Sequence, residues 1–327
     1  MWGFAPDAVL LDEAGVVGVA PVLMAAAVAR HRLCAFGDFR QLAPIVRTRT
    51  DMGRRWLARD VFAATGADAA AREGRPHPHV TLLDSQYRMA GEIAEVVSSL
   101  AYGSRLRTVE RTATRRLAGR RPFPGERVVL VDVSALPGRA VRDLAVAPGS
   151  RMNEVSAAVA LTLAAQAAHD ADHDAPAVAI ITPYRTQARL LAAGVRDLAL
   201  TARADAATVH RFQGSERDVV VIDLVDAPPL PGPSRLTGGD TDATLRLVNV
   251  AVSRARGKVV VVGNLPFLRE RSPHGSPLLT ALDLAAAHGP TVVARPDWAG
   301  PAGPRFAALA ERVAAATPAG EHAAWPS

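Results

Sequence analysis

The chain predicts an α/β fold of doubly wound parallel sheets, one lobe complete and a second present in part, and three observations carry that expectation. Apolar runs recur at 8–11, 32–36, 80–84, 127–133, 177–184, 218–225 and 258–264. Continuous runs of this kind suit strands covered on both faces. Between them lie helical segments at 20–32, 90–100, 153–169, 186–198 and 245–256, and strands alternating with helices define the α/β class. The composition, 49% hydrophobic and 21% charged, is that of a globular chain.

Taken in order, residues 8–36 read as strand, helix and strand, closed by the turn Gly37-Asp38. The Gly, Pro and His residues of 72–79 then punctuate the chain. From there the strand and helix pattern restarts and runs to 264. The expected organisation is a partial first lobe at 1–78, a second lobe at 79–290 and a Pro/Ala-rich tail at 291–327. One helix is expected near 304–316. Residues 226–242 hold too much Pro and Gly for regular structure and read as a surface loop. The acidic and His-rich stretch 169–174 reads as a solvated loop rather than a metal site.

The 327 residues hold no apolar run near the roughly 20 that a membrane helix needs. The N-terminus lacks a signal-peptide pattern, so the expectation is a cytoplasmic protein with no membrane partner. Cys34 is the one cysteine, set in an apolar stretch that predicts core packing and excludes an internal disulfide. The net charge is +6 and permits a polyanionic partner. Arginine supplies nearly all of the positive charge, because Lys258 is the single lysine.

Several segments pair a buried strand with polar residues at its end. Asp12-Glu13 closes the first apolar run; an Asp there can hold hydrated magnesium while the Glu polarises a water. One strand-helix-strand unit later come Asp38 and Gln41, which parallel pairing sets at the same sheet edge, where ligands bind in such sheets. Tyr87 and Arg88 follow the run at 80–84 and offer an aromatic surface for a base and a cation for a phosphate. Thr182-Pro183-Tyr184 ends a strand and starts a helix, whose backbone N–H groups can meet a phosphate or simply be capped. Residues 208–225 place Thr208, His210, Gly214 and Glu216 in a turn between apolar runs. Arg254 and Arg256 end a helix that feeds the strand at 258–264. An arginine there can reach a γ-phosphate across a cleft, or cap carbonyls at the helix end.

These segments, in this order, resemble the motifs of superfamily 1 helicases, most closely the Upf-like group that includes the nonsense-mediated-decay helicase. The resemblance runs from about residue 7 to 265. It rests on Asp12 and Glu13; on Gly37, Asp38, Gln41, Leu42 and Pro44; and on Gln86, Tyr87, Arg88 and Met89. The Thr182 element, the stretch from Thr208 through Glu216, and Asn249, Ser253, Arg254, Ala255 and Arg256 complete it. It implies two P-loop nucleotidase, RecA-like lobes with ATP and Mg2+ in the cleft and single-stranded DNA or RNA across the top. By that resemblance Asp12 holds the metal, Glu13 assists hydrolysis and Gln41 senses the γ-phosphate. Arg88 and Arg254 stabilise its developing charge, Tyr87 lies by the base, and Gly214 and Glu216 lie by the ribose and phosphates. Thr182, Pro183, Tyr184, Thr208 and His210 would contact the nucleic acid.

One element departs from the pattern. The family's phosphate loop has the form G-x-x-x-x-G-K-[ST], and Val259 follows the only lysine. The chain is therefore expected to be the C-terminal part of a helicase, with the missing P-loop segment encoded upstream or carried on a separate chain. The alternatives are one chain of a split helicase, or a non-enzymatic remnant that binds nucleic acid or protein.

Overall fold

The protein's structure is a computed structural model that describes residues 5–46, 48, 50–109, 117–138, 140–145, 147, 149–169, 177–234, 241–300 and 303–316. Most of the acidic and His-rich stretch, residues 110–116, part of the 226–242 loop and the last eleven residues lie outside the described residues.

The first unit contains β1 (Ala8–Leu11), α1 (Val19–Val28) and β2 (Arg32–Ala35). The two strands pair in parallel with Leu11 opposite Ala35. After a helical turn at Asp51–Gly53 and a π-helical turn at Arg54–Ala58 come two short helices, α2 (Val61–Thr65) and α3 (Ala67–Arg72). The Asp60 carboxylate caps α2 by accepting from Ala63 N at 2.8 Å. Both strands alternate between exposed and half-buried residues, so the expected burial on both faces does not hold for this sheet. Cys34 is exposed, which corrects its assignment to the core. Leu10, at 69% exposure, shows the physical reason, since no described element covers that side of the strand.

Residues 80–84 do not form the expected strand. Leu83 is 77% exposed, and ladder pairing starts only where the Asp84 carbonyl accepts Arg107 N at 2.7 Å. There the two-residue β3 (Ser85–Gln86) pairs with β4 (Arg107–Thr108). Between them lies α4 (Gly91–Ala101).

The main sheet is assembled from β5 (Val128–Asp132), β8 (Val178–Thr182), β9 (Ala204–Thr208), β10 (Arg217–Asp223), β11 (Ala255–Gly263) and β12 (Thr291–Val293). Its order is β12-β5-β11-β10-β8-β9, every pair parallel. A short antiparallel hairpin, β6 (Val141–Asp143) and β7 (Ser150–Met152), precedes α5 (Glu154–Ala168). The remaining helices are α6 (Arg185–Asp197), α7 (Thr241–Ser253), α8 (Leu265–Arg271), α9 (Pro277–His288) and α10 (Pro304–Ala316).

Strand residues alternate between the two faces, as the pleat requires. Val259 and Val261 pack with α4, α7 and α9 on one side. Val260 and Val262 pack with α5 and α6 on the other. Helix entries are fixed locally: Asn153 Oδ1 accepts from the Val155 and Ser156 amides at 3.1 and 3.2 Å, and Ser276 Oγ caps α9 just before Pro277. The expected separate tail is partly core. β12 extends the main sheet, and Trp298, Phe306 and Val313 are buried against α5 and α6, because apolar side chains at these spacings find cover there.

Lys258 is fully buried in β11. Its ammonium donates to the carbonyls of Arg120, Pro122 and Phe123 at 2.5, 2.6 and 2.9 Å, clamping the loop that leads into β5. Replacing it would leave several carbonyls without a donor. Lys258→Met is expected to lower the unfolding free energy by about 2–4 kcal/mol in a urea titration. A change under about 0.5 kcal/mol would contradict the clamp.

Candidate functional site

The strongest cluster of polar side chains lies where the C-terminal edge of the small sheet meets the N-terminal edge of the main one. On the first side, Asp12 follows β1 and Asp38 follows β2. The two turns are stitched by the Ala14 amide donating to the Phe36 carbonyl at 2.8 Å. A Cβ on Gly37 would sit 2.8 Å from Ala14 N, so only glycine lets the turns approach this closely. Glu13 sits in the left-handed region at φ 52°, and the exposed Asp12 accepts its amide at 2.8 Å.

On the facing side, Glu216 immediately precedes β10 and Arg254 immediately precedes β11. Ala90 N donates to Arg256 O at 2.7 Å and brings the Tyr87-Arg88 loop to the same edge. Gly214 has φ 74°, a conformation that glycine adopts without strain, and a Cβ there would lie 3.6 Å from Glu13 Oε1. The turns from the two sides therefore touch.

Arg254 is the centre of this cluster. It is 1% exposed, and its Nη2 donates to Gln41 Oε1 at 3.0 Å while Nη1 donates to the Ser215 carbonyl at 3.1 Å. Its Nε has no partner among the described residues. Burial, and then the nearby Arg88 charge, push its pKa down to about 10. Arg88 itself is paired: Nε donates to Glu216 Oε2 at 2.8 Å. Glu216 also faces Arg256 at 3.6 Å.

Gln41 is oriented from behind. Asp38 accepts from Gln41 Nε2 at 2.9 Å and from the Tyr102 hydroxyl. That hydroxyl accepts in turn from Asn249 Nδ2 at 2.9 Å, and the same nitrogen donates to the Arg40 carbonyl at 2.9 Å. Burial, and then the Asp38 charge, hold the Tyr102 phenol far above its ordinary value. Asp38 and Asn249 were visible as motif residues, but Tyr102 was missed: it ends a helix with an ordinary apolar pattern, and its partners lie 64 and 147 positions away.

The cluster thus gathers Glu13, Gln41, Arg88, Gly214, Glu216 and Arg254, with Asp12 beside Glu13 and the half-exposed Tyr87 beside Arg88. The other sequence candidates lie elsewhere. Thr182 and Thr208 are register partners at the ends of β8 and β9, on the opposite edge of the main sheet, about 20 Å away at the usual rise per strand residue. Thr182, Pro183 and Tyr184, expected by resemblance to contact nucleic acid, are buried. The reason is a polar cover: Tyr184 donates to Asp226 Oδ2 at 2.7 Å, and Arg151 of β7 pairs with Asp226 at 2.8 Å. Thr208 stays half-buried and His210 exposed.

A family profile described as an AAA domain (AAA_12) matches residues 68–266. The chain belongs to that AAA domain family. Among curated proteins it is 25% identical over 271 residues to the DNA replication ATP-dependent helicase/nuclease JHS1 of Arabidopsis thaliana, covering 79% of this chain and 19% of that protein. It is 27% identical over 252 residues to the DNA polymerase alpha-associated DNA helicase A of Saccharomyces cerevisiae, covering 73% of this chain and 35% of that protein. It thus spans between a fifth and about a third of these relatives. A solved structure of the PRRSV helicase aligns over 82% of this chain and 37% of that chain, with 16% identity and a TM-score of 0.38. No described helix is long and apolar enough to cross a membrane.

The covered edge generates a pH prediction. Asp223 is fully buried at the end of β10, accepts from Gln187 Nε2 at 2.5 Å, and is raised to about 6, mainly by burial. Between the unfolded value near 4 and about 6 the folded state binds more protons, so stability falls as pH rises through that window and is level above it. Asp223→Asn is expected to remove up to about 3 kcal/mol of that fall, read as the difference between the two proteins' urea stabilities at pH 4 and pH 7. Parallel pH profiles would contradict it.

Proposed function

We propose that this chain supplies the γ-phosphate-facing side and part of the strand-binding side of an ATP-dependent DNA or RNA helicase or translocase, coupling ATP hydrolysis to movement on single-stranded nucleic acid. The observation that carries the reading is Arg254: a buried guanidinium with an unpartnered Nε, a second arginine nearby, and no carboxylate within ion-pair distance among the described residues. An anion suits that site, and a terminal phosphate has the required charge and acceptor oxygens. The AAA domain match and the helicase names of the relatives support the same reading. We further propose a partial first lobe at 1–78 and a second lobe that begins at 79 and takes in β12 and the core residues Trp298, Phe306 and Val313 of the tail.

In this proposal Gln41 and Arg254 meet the γ-phosphate together, since they already share a hydrogen bond at 3.0 Å. Arg88 leaves Glu216 for a phosphate oxygen, a modest exchange because that ion pair is partly exposed. The acid that polarises the attacking water is Glu13, placed opposite Gly214. Asp12, which makes no ion pair among the described residues, is the carboxylate for Mg2+. Magnesium commonly uses one or two protein carboxylates plus waters and phosphate oxygens, which fits a turn with no cluster of three or more ligating side chains among the described residues. When bound, it supplies charge neutralisation at the phosphates. Thr208 and His210 are the accessible candidates for the nucleic acid.

In this proposal the phosphate-cradling loop comes from a segment outside this sequence, upstream or on a separate chain, a reading supported by the one lysine being held by the carbonyls of Arg120, Pro122 and Phe123. Two outcomes follow. Alone, the chain releases no phosphate from ATP above background. With a G-x-x-x-x-G-K-[ST] segment supplied it hydrolyses ATP when single-stranded nucleic acid is added, and Arg254→Ala or Glu13→Gln each lowers kcat on the order of 100-fold. Turnover by the chain alone, or full activity of Arg254→Ala, would reject the proposal. Second, the chain binds a single-stranded oligonucleotide weakly, with affinity falling steeply between about 50 and 200 mM salt, as phosphate-dominated contacts do. Salt-independent binding in a fluorescence-anisotropy titration would count against it.

A further inference from the structure

We propose that Tyr102 is a positioning residue whose buried hydroxyl bridges the two sides of the cleft, holding Gln41 toward Arg254 through Asp38 on one side and Asn249 on the other. The inference deepens the helicase reading and rests on it for its functional meaning. Its geometry stands independently.

The hydrogen-bond inventory leaves one arrangement of the bridge. An ionised Asp38 only accepts, so both groups facing its Oδ2, Gln41 Nε2 and the Tyr102 O–H, must donate. With its proton committed to Asp38, the Tyr102 oxygen is free to accept, and Asn249 Nδ2 donates to it at 2.9 Å. Asn249 cannot be turned over, because its Nδ2 also serves the Arg40 carbonyl, which needs a donor. Gln41 cannot be turned over either. Its Nε2 is held by Asp38, so its Oε1 faces Arg254, a guanidinium that has only donors to offer.

The chain of contacts therefore runs from Arg254 through Gln41, Asp38 and Tyr102 to Asn249. Arg254 and Asn249 belong to the segment formed by α7 and the residue after it, whereas Gln41 and Asp38 belong to the loop after β2. Tyr102 comes from a third element, the end of α4. The loop is consequently tied to one helix segment at three points: Arg254 to Gln41 and Asn249 to the Arg40 carbonyl directly, and Asn249 to Asp38 through the Tyr102 hydroxyl, the one tie that reaches the carboxylate orienting Gln41. Without that hydroxyl Asp38 loses a donor and Asn249 loses an acceptor in a buried setting, and the carboxylate that orients Gln41 toward Arg254 keeps only its contacts within its own loop. In the proposed motor the bridge would keep the γ-phosphate sensor and the arginine on the opposite side in register.

The variant is Tyr102→Phe, which keeps the ring and removes only the oxygen. Hydrogen–deuterium exchange on the full chain without nucleotide should show amides of residues 36–46 exchanging about 5-fold faster or more, as expected for losing buried hydrogen bonds. Peptides covering β5 and β8 should be unchanged. Asn249→Ala, which also removes the Arg40 tie, should accelerate the same loop, and the double variant should add little to Asn249→Ala alone, as coupled neighbours do. Unchanged exchange at 36–46, uniform acceleration across the chain, or full additivity would each overturn the bridge. A second arm uses the protein supplied with its P-loop segment: Tyr102→Phe should lower kcat at least 5-fold with KM for ATP within about 2-fold. Equal kcat would reject the positioning role. If the unsubstituted protein does not hydrolyse ATP, the helicase reading fails while the exchange result still decides the bridge.

Discussion

The arrangement of this protein turns on one buried guanidinium. Arg254 has been taken out of water at the junction of two sheets, and its shifted pKa records the cost of that burial. A carboxylate in ion-pair contact would have been the simplest compensation, and none is in such contact among the described residues. Instead the chain offers three neutral oxygens, from Gln41, Ser215 and Ser253, and leaves Nε without a partner among the described residues. A buried donor left unmade costs on the order of 1–3 kcal/mol. That expense is intelligible if an anion completes the site, and the surrounding turns are organised as though to frame one. Gly37 permits the two first-side turns to close together, and Gly214 lets the facing turn approach Glu13 without a side chain in the way.

The main sheet gives this site its geometry. Parallel strands put all their starts on one edge and all their ends on the other, so Glu216 and Arg254 share an edge by necessity, while Thr182 and Thr208 share the opposite one. Residues 209–216 run between these edges. Val209 and Phe212 anchor that segment in the core, with His210 exposed near one end and Gly214 touching the first unit at the other. A segment so anchored at its middle is a short mechanical path between the two edges.

The main-sheet strands were legible because Val-rich runs such as 128–132 and 259–262 need cover on both faces, and the helices between them carry apolar residues to supply it. The polar cluster was legible as ordered strand-end residues. Other features depend on tertiary contacts that no local pattern encodes. Residues 80–84 have a strand-like composition but no ladder partner, Cys34 sits in an apolar run that nothing described covers, and Thr182 with Tyr184 are closed over by a hairpin some thirty positions upstream and a loop some forty downstream. Tyr102 was illegible for the same reason, since its importance lies in two distant partners and not in its own helix.

The central claim is that Gln41 and Arg254 read the terminal phosphate of a nucleotide. The most direct measurement is the ratio of affinities for a non-hydrolysable ATP analogue and for ADP, titrated with Mg2+ into the protein supplied with a P-loop segment, and repeated with Arg254→Ala. The account predicts that the unsubstituted protein favours the triphosphate and that Arg254→Ala brings the two affinities together while leaving ADP binding nearly unchanged. An unaltered preference for the triphosphate in Arg254→Ala would contradict it.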